Sequence, residues 1–163
     1  MRASTLIIIF FLLHNGCKHA DIKNTEPKKI IIDKYVFDFN TDFTQQIDSN
    51  SVSAGWIVGE DGIQVRYSGG WIPFMQSKIT EDTSTVFARI DTIDNLFRKV
   101  VYSKDSSQGE MLLILCELED LRDTSGSIFP NTFMGLTMEA SKINREQQNE
   151  LLKIFQSGRL NKK

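Results

Sequence analysis

Two histidines and two cysteines are the whole supply of imidazole and thiol in this 163-residue chain. His14 and His19 both precede Ala20, so the rest of the chain holds no imidazole. Without one, Ser–His and Cys–His nucleophilic catalysis has no base. Zinc loses its nitrogen ligands, and Cys116, the only thiol beyond Cys17, cannot build a thiolate cluster. Haem and iron–sulfur ligation fail for the same reason. No phosphate-cradling or dinucleotide-binding glycine motif is present. The inventory therefore implies no metal and no cofactor.

Carboxylates and aromatics remain. The dense acidic cluster is Glu117, Glu119 and Asp120, followed by Asp123. Two acids about 5–10 Å apart can hydrolyse a glycosidic bond, and Glu117 and Glu119 on one strand would share a face. The competing reading is a solvated strand end whose charge limits edge pairing. Neither this cluster nor Asp42 and Asp48 matches the spaced oxygen ligands of a calcium loop. Ser141 and Lys142 are adjacent, so they do not indicate a serine–lysine dyad. The aromatic set, Trp56, Tyr67, Trp71 and Phe74, lies among five glycines. Exposed aromatics at a rim mark binding surfaces, whereas a small sheet ordinarily buries its Trp and Phe. Trp71, beside Pro73, is the one best placed for exposure.

The elements that must position these groups read mostly as strands. Ile30 to Phe39 reads as one strand, and residues 40–53 read as a polar loop. Gly55-Trp56-Ile57-Val58 leads through Gly59-Glu60-Asp61-Gly62 into the strict alternation Ile63 to Tyr67, a hairpin signature. Ser68-Gly69-Gly70 reads as a second turn before Trp71 to Met75, where Pro73 removes a ladder donor and favours a short or edge strand. Residues 83–102 have helical spacing but strand composition; two strands about Asp94-Asn95 are favoured. Met111 to Leu118 reads as a central buried strand with Cys116 packed in the core. Phe133 to Met138 reads as another strand. The closing helix has Asn144 and Gln147 as a capping box, an apolar stripe of Leu151, Leu152, Ile154 and Phe155, and Gly158 as its stop. The fold class is α+β: a mostly antiparallel sheet with one C-terminal amphipathic helix packed on it.

The sequence opens Met1-Arg2-Ala3-Ser4-Thr5, followed by eight apolar residues from Leu6 to Leu13 and then His14-Asn15-Gly16-Cys17. This is the layout of a secretory signal. A membrane-crossing helix needs about 20 apolar residues, so the run is too short to remain as a span. Gly16-Cys17 resembles the lipobox of bacterial lipoproteins, with Leu13 one position further from the cysteine than the family prefers. The resemblance covers residues 1–17 and implies cleavage before Cys17 and diacylglycerol on its thiol. Two or more acyl chains give stable anchoring where one does not. By analogy with enteric bacteria, Lys18 in place of Asp favours the outer membrane.

The organisation expected is a signal peptide at 1–16, lipid attachment and tether at 17–29, and one globular domain at 30–163. The net charge of −2 offers no basic face for nucleic acid. The function expected is a non-catalytic binding or inhibitory domain, immunity-like or accessory, meeting a protein partner in the envelope. The alternatives are a carboxylate-dependent glycan hydrolase using Glu117 or Glu119, and a glycan-binding module using Trp56 and Trp71.

Overall fold

Period-two burial organises this chain. The computed structural model describes residues 26–40, 42–49, 53–73, 85–105, 107, 109–122 and 132–162. Cys17 and Phe74 lie outside them. The described strands are β1 (Lys28–Ile32), β2 (Tyr35–Phe39), β3 (Thr44–Ile47), β4 (Ala54–Val58), β5 (Gln64–Pro73), β6 (Val86–Ile93), β7 (Leu96–Ser103), β8 (Gly109–Glu117), β9 (Thr132–Ile143) and β10 (Arg159–Leu160). Helix α1 (Leu118–Arg122) follows β8, and α2 (Arg145–Ser157) follows β9. A seven-stranded sheet runs β3-β4-β5-β9-β8-β7-β6, and a three-stranded sheet runs β1-β2-β10. Every pairing is antiparallel.

The main core lies between the sheets. Ile57, Val65, Tyr67, Leu113, Leu136 and Met138 come from one face of the large sheet. Ile30, Phe37 and Phe39 of the small sheet meet them, together with Leu151, Ile154 and Phe155 of α2. The helix starts where expected: Asn144 accepts from the backbone of Glu146 and Gln147, and the Gln147 side chain returns to the Asn144 N–H. A mostly antiparallel sheet with a C-terminal helix packed on it is the architecture found. The α+β label fits loosely, because the helices described are only α1 and α2.

Four local readings change. Ile30 to Phe39 is a hairpin rather than one strand: Asp33 takes a φ of 53° and turns the chain between β1 and β2. Aspartate tolerates that conformation, so no glycine announces the turn. Lys28 and Lys29, read as tether, belong to β1. Residues 40–53 are not all loop, since Thr44–Ile47 form the short, largely polar edge strand β3. Ser68-Gly69-Gly70 is no turn; it runs inside β5, paired with Thr137, Leu136 and Gly135. Gly70 has a φ of 138°, which a side chain would resist, so the glycine reshapes the strand without ending it. Beyond Ser68, β5 pairs with β9 but no longer with β4, which is how Pro73 is tolerated. Residues 86–103 do form two strands, with Asp94 and Asn95 at φ 50° and 69° in the turn.

Candidate functional site

The face of the large sheet turned away from α2 is divided in two. At one end Ile72, Ile114, Cys116 and Phe133 form a second apolar cluster, flanked by Phe97 and Leu112. Toward the other end the same face mixes polar and apolar side chains. Gln46, Trp56, Arg66, Glu139, Leu112, Val101 and Ala88 are successive register partners across all seven strands. Alternation along each strand sends all of them to this face.

The middle of that row lies in a trough of about 760 Å³ lined by Trp56, Gln64, Arg66, Ser103, Glu110, Leu112, Glu139 and Ser141. A second hollow of about 250 Å³ adjoins it and shares Arg66 and Glu139. Trp71, Gly70 and Thr137 are among the other residues that line the second hollow. Lys142 also borders the trough and holds a φ of 58°. It is the extra residue of a β-bulge, where Glu110 pairs with Ser141 while Gly109 pairs with Ile143. The bulge leaves Ser141 and Lys142 both exposed between buried Ala140 and buried Ile143.

The groups here are mixed in charge. Arg66 and Glu139 stand directly opposite each other, and among the described residues neither has an ion pair. Glu110 is diagonal to Glu139 on the next strand, a placement that separates such residues by about 7–8 Å, within reach of long side chains. The indole of Trp56 is 44% exposed beside Arg66. The trough thus offers a flat apolar platform, a five-donor guanidinium and two carboxylate acceptors. No group of three or more His, Cys, Asp or Glu among the described residues could hold a metal ion.

Of the residues singled out from sequence, Trp56 and Trp71 are exposed, Trp71 at 43%. Tyr67 is a correction: it is buried in the main core, its hydroxyl accepting from Gln45 Nε2 at 3.1 Å. Gly55 makes room for it, since a Cβ there would lie 2.5 Å from that hydroxyl and 2.2 Å from the Gln46 carbonyl oxygen. The acids Glu117, Glu119 and Asp120 do not line the trough. Glu117 ends β8, and Glu119 and Asp120 belong to α1, so the shared strand face is absent. Lys34 of the β1–β2 turn donates to both Glu117 and Asp120. Burial works against the Lys34 charge, but the two carboxylates outweigh it and hold its pKa above the ordinary lysine range. That contact joins the small sheet to the end of the large one. Cys116 is fully buried, and burial pushes its thiol up to about 12.

Arg66, Glu110 and Glu139 were not singled out from sequence. Their signal was the alternation itself: each is a charged residue beside inward-facing apolar neighbours. Only the register across β5, β9 and β8 brings them together.

No protein-family model matches the chain, and no curated protein matches it. A solved structure from Bacteroides thetaiotaomicron VPI-5482 is similar, with a TM-score of 0.49 at 9% sequence identity over 85% of this chain. The chain spans 50% of the length of that structure.

Proposed function

We propose that this chain is a bacterial envelope lipoprotein, cut before Cys17 and anchored by lipid at the outer membrane, whose domain binds a protein partner without catalysis. The single observation behind the binding reading is the exposed Trp56 indole beside Arg66, which has no ion pair among the described residues, in a trough of about 760 Å³. Trp and Arg are the residue types that dominate binding hot spots, and a half-exposed indole in a concave wall has much to gain from a partner. The anchor rests on the Arg2, Leu6 to Leu13 and Gly16-Cys17 pattern.

Binding is favoured over hydrolysis by the surroundings of the trough carboxylates. Glu110 and Glu139 are both exposed, whereas a carboxyl serving as general acid is held in an apolar enclosure. A glycan is the second reading, because Trp56 offers a stacking face flanked by groups that hydrogen-bond hydroxyls.

Affinity purification of the full chain from detergent-solubilised membranes tests the first reading. A reproducible protein partner should be recovered with the native chain. Trp56→Ala and Arg66→Ala should each weaken its capture by at least about tenfold while leaving the unfolding midpoint nearly unchanged. Absence of any such partner, together with a Trp fluorescence response to envelope oligosaccharides, would replace it with the glycan reading. Mass spectrometry of the membrane-extracted chain tests the anchor: an unmodified Cys17 thiol ends that part of the proposal.

A further inference from the structure

The two edges of the large sheet are unlike. β3 is four residues long and largely polar, as edges that resist pairing usually are. The other edge, β6, is eight residues long and has neither proline nor a bulge in its pairing with β7. It presents Phe87 at 44% exposure, Ile90 at 61% and Ile93 at 50%. Phe87 is already braced on the Tyr102 ring, with centroids 5.4 Å apart. An exposed, uninterrupted edge of this length that carries three exposed apolar side chains is a template for another strand.

The sequence of β6 says which strand fits. A second copy of β6 added antiparallel must keep each face of the sheet continuous, so paired residue numbers must sum to an even number. If the two-fold axis passes through Arg89, arginine faces arginine; if it passes through Asp91, aspartate faces aspartate. Like charges directly opposite are unfavourable. With the axis through Ile90, Arg89 faces Asp91 of the second copy and Asp91 faces its Arg89. Phe87 then meets Ile93, Ile90 meets Ile90, and Ala88 meets Thr92. Charge and apolar surface both match, and no like charges are opposed. Arg89 has no ion pair among the described residues. Asp91 is fixed from behind by Arg98, whose Nε and Nη2 reach its two carboxylate oxygens at 2.8 and 2.7 Å.

We propose that the β6 edge is a homodimer interface, in which two copies of this chain pair antiparallel about a two-fold axis through Ile90 and join their sheets into one. Such a contact is self-complementary, as a closed two-fold interface must be. Its central pairs lie beyond the trough, which reaches β6 only at Val86.

The test uses the full chain in a non-ionic detergent, followed by analytical ultracentrifugation over a range of concentrations. The native chain should dimerise. Ile90→Lys and Ile90→Glu, each alone, should weaken the dimer by more than about tenfold, because like charges then face each other across the axis. An equimolar mixture of the two variants should recover the dimer, since opposite charges now meet. Ile90 is exposed, so both variants should keep the native circular dichroism spectrum. A native chain monomeric at all concentrations, single variants that dimerise like the native chain, or a mixture that stays monomeric would each overturn the proposal.

Discussion

The hydroxyl of Tyr35 is buried with no hydrogen-bond partner among the described residues. Burial is also the main cause that pushes its pKa well above the ordinary tyrosine range. A buried donor left unsatisfied costs about 1–3 kcal/mol, so Tyr35→Phe should be neutral or stabilising by up to that amount in denaturant unfolding; a clear loss of stability would reveal a partner for the hydroxyl. Asp38 is the opposite case. The hydrogen bond from Arg159 holds its carboxyl below the usual range, and both guanidinium nitrogens Nη1 and Nη2 take part, at 2.8 and 2.9 Å. Because the folded pKa is depressed, this contribution is complete above the unfolded value of about 3.9. It is lost as pH falls through the folded value. Both side chains are substantially exposed, so its size is under about 1 kcal/mol. Unfolding free energies of the native chain and Asp38→Asn, compared from about pH 6 down to 2, should therefore converge at the acid end. A constant gap would show that the aspartate acts through packing instead.

At the scale of elements, Arg98 does the joining. It is 5% exposed, and besides binding Asp91 of β6 it donates to the Gln156 carbonyl in the last turn of α2. One cation thus ties the edge hairpin to the helix end, where a positive charge also suits the helix dipole. The two partners differ in burial, since the Asp91 side chain is 43% exposed. Removing Asp91 strands a buried cation, while removing Arg98 leaves a carboxylate that water can reach. Asp91→Ala should therefore cost about 3 kcal/mol, and Arg98→Met clearly less, in chemical denaturation; equal costs would contradict this asymmetry. Elements bounded by their own local chemistry were legible in the residues. The Asn144-Gln147 capping box and the Asp94-Asn95 turn both use side chains that act within a few positions. The β1–β2 turn and the continuity of β5 through Gly69-Gly70 were not legible. Asp33 turns without a glycine, and two glycines can reshape a strand as readily as end it.

For the whole molecule, Cys116 reports on unfolding. It sits in the second apolar cluster, on β8 between β7 and β9. A thiol held at about 12 and fully buried has almost no thiolate at neutral pH. Alkylation at about pH 8 should therefore be slow in the native state, and denaturant should accelerate it in step with global loss of structure. Fast labelling under native conditions would mean that β8 opens locally.

The composition and order of residues were enough to rule out imidazole chemistry beyond His19 and to mark the alternating strands and closing helix, because each of those depends on residue type or on neighbours a few positions away. The site was decided at another level. Trp56 and Arg66 share one hairpin, but Glu110 and Glu139 lie far along the chain from them, and none of the four carries a motif. They share one wall because antiparallel register sets β4, β5, β9 and β8 side by side. Register is fixed by which face of every strand finds the core, and that depends on all the strands at once. For the same reason Tyr67 went inward and Trp56 outward, although both are large aromatics on neighbouring strands of one hairpin.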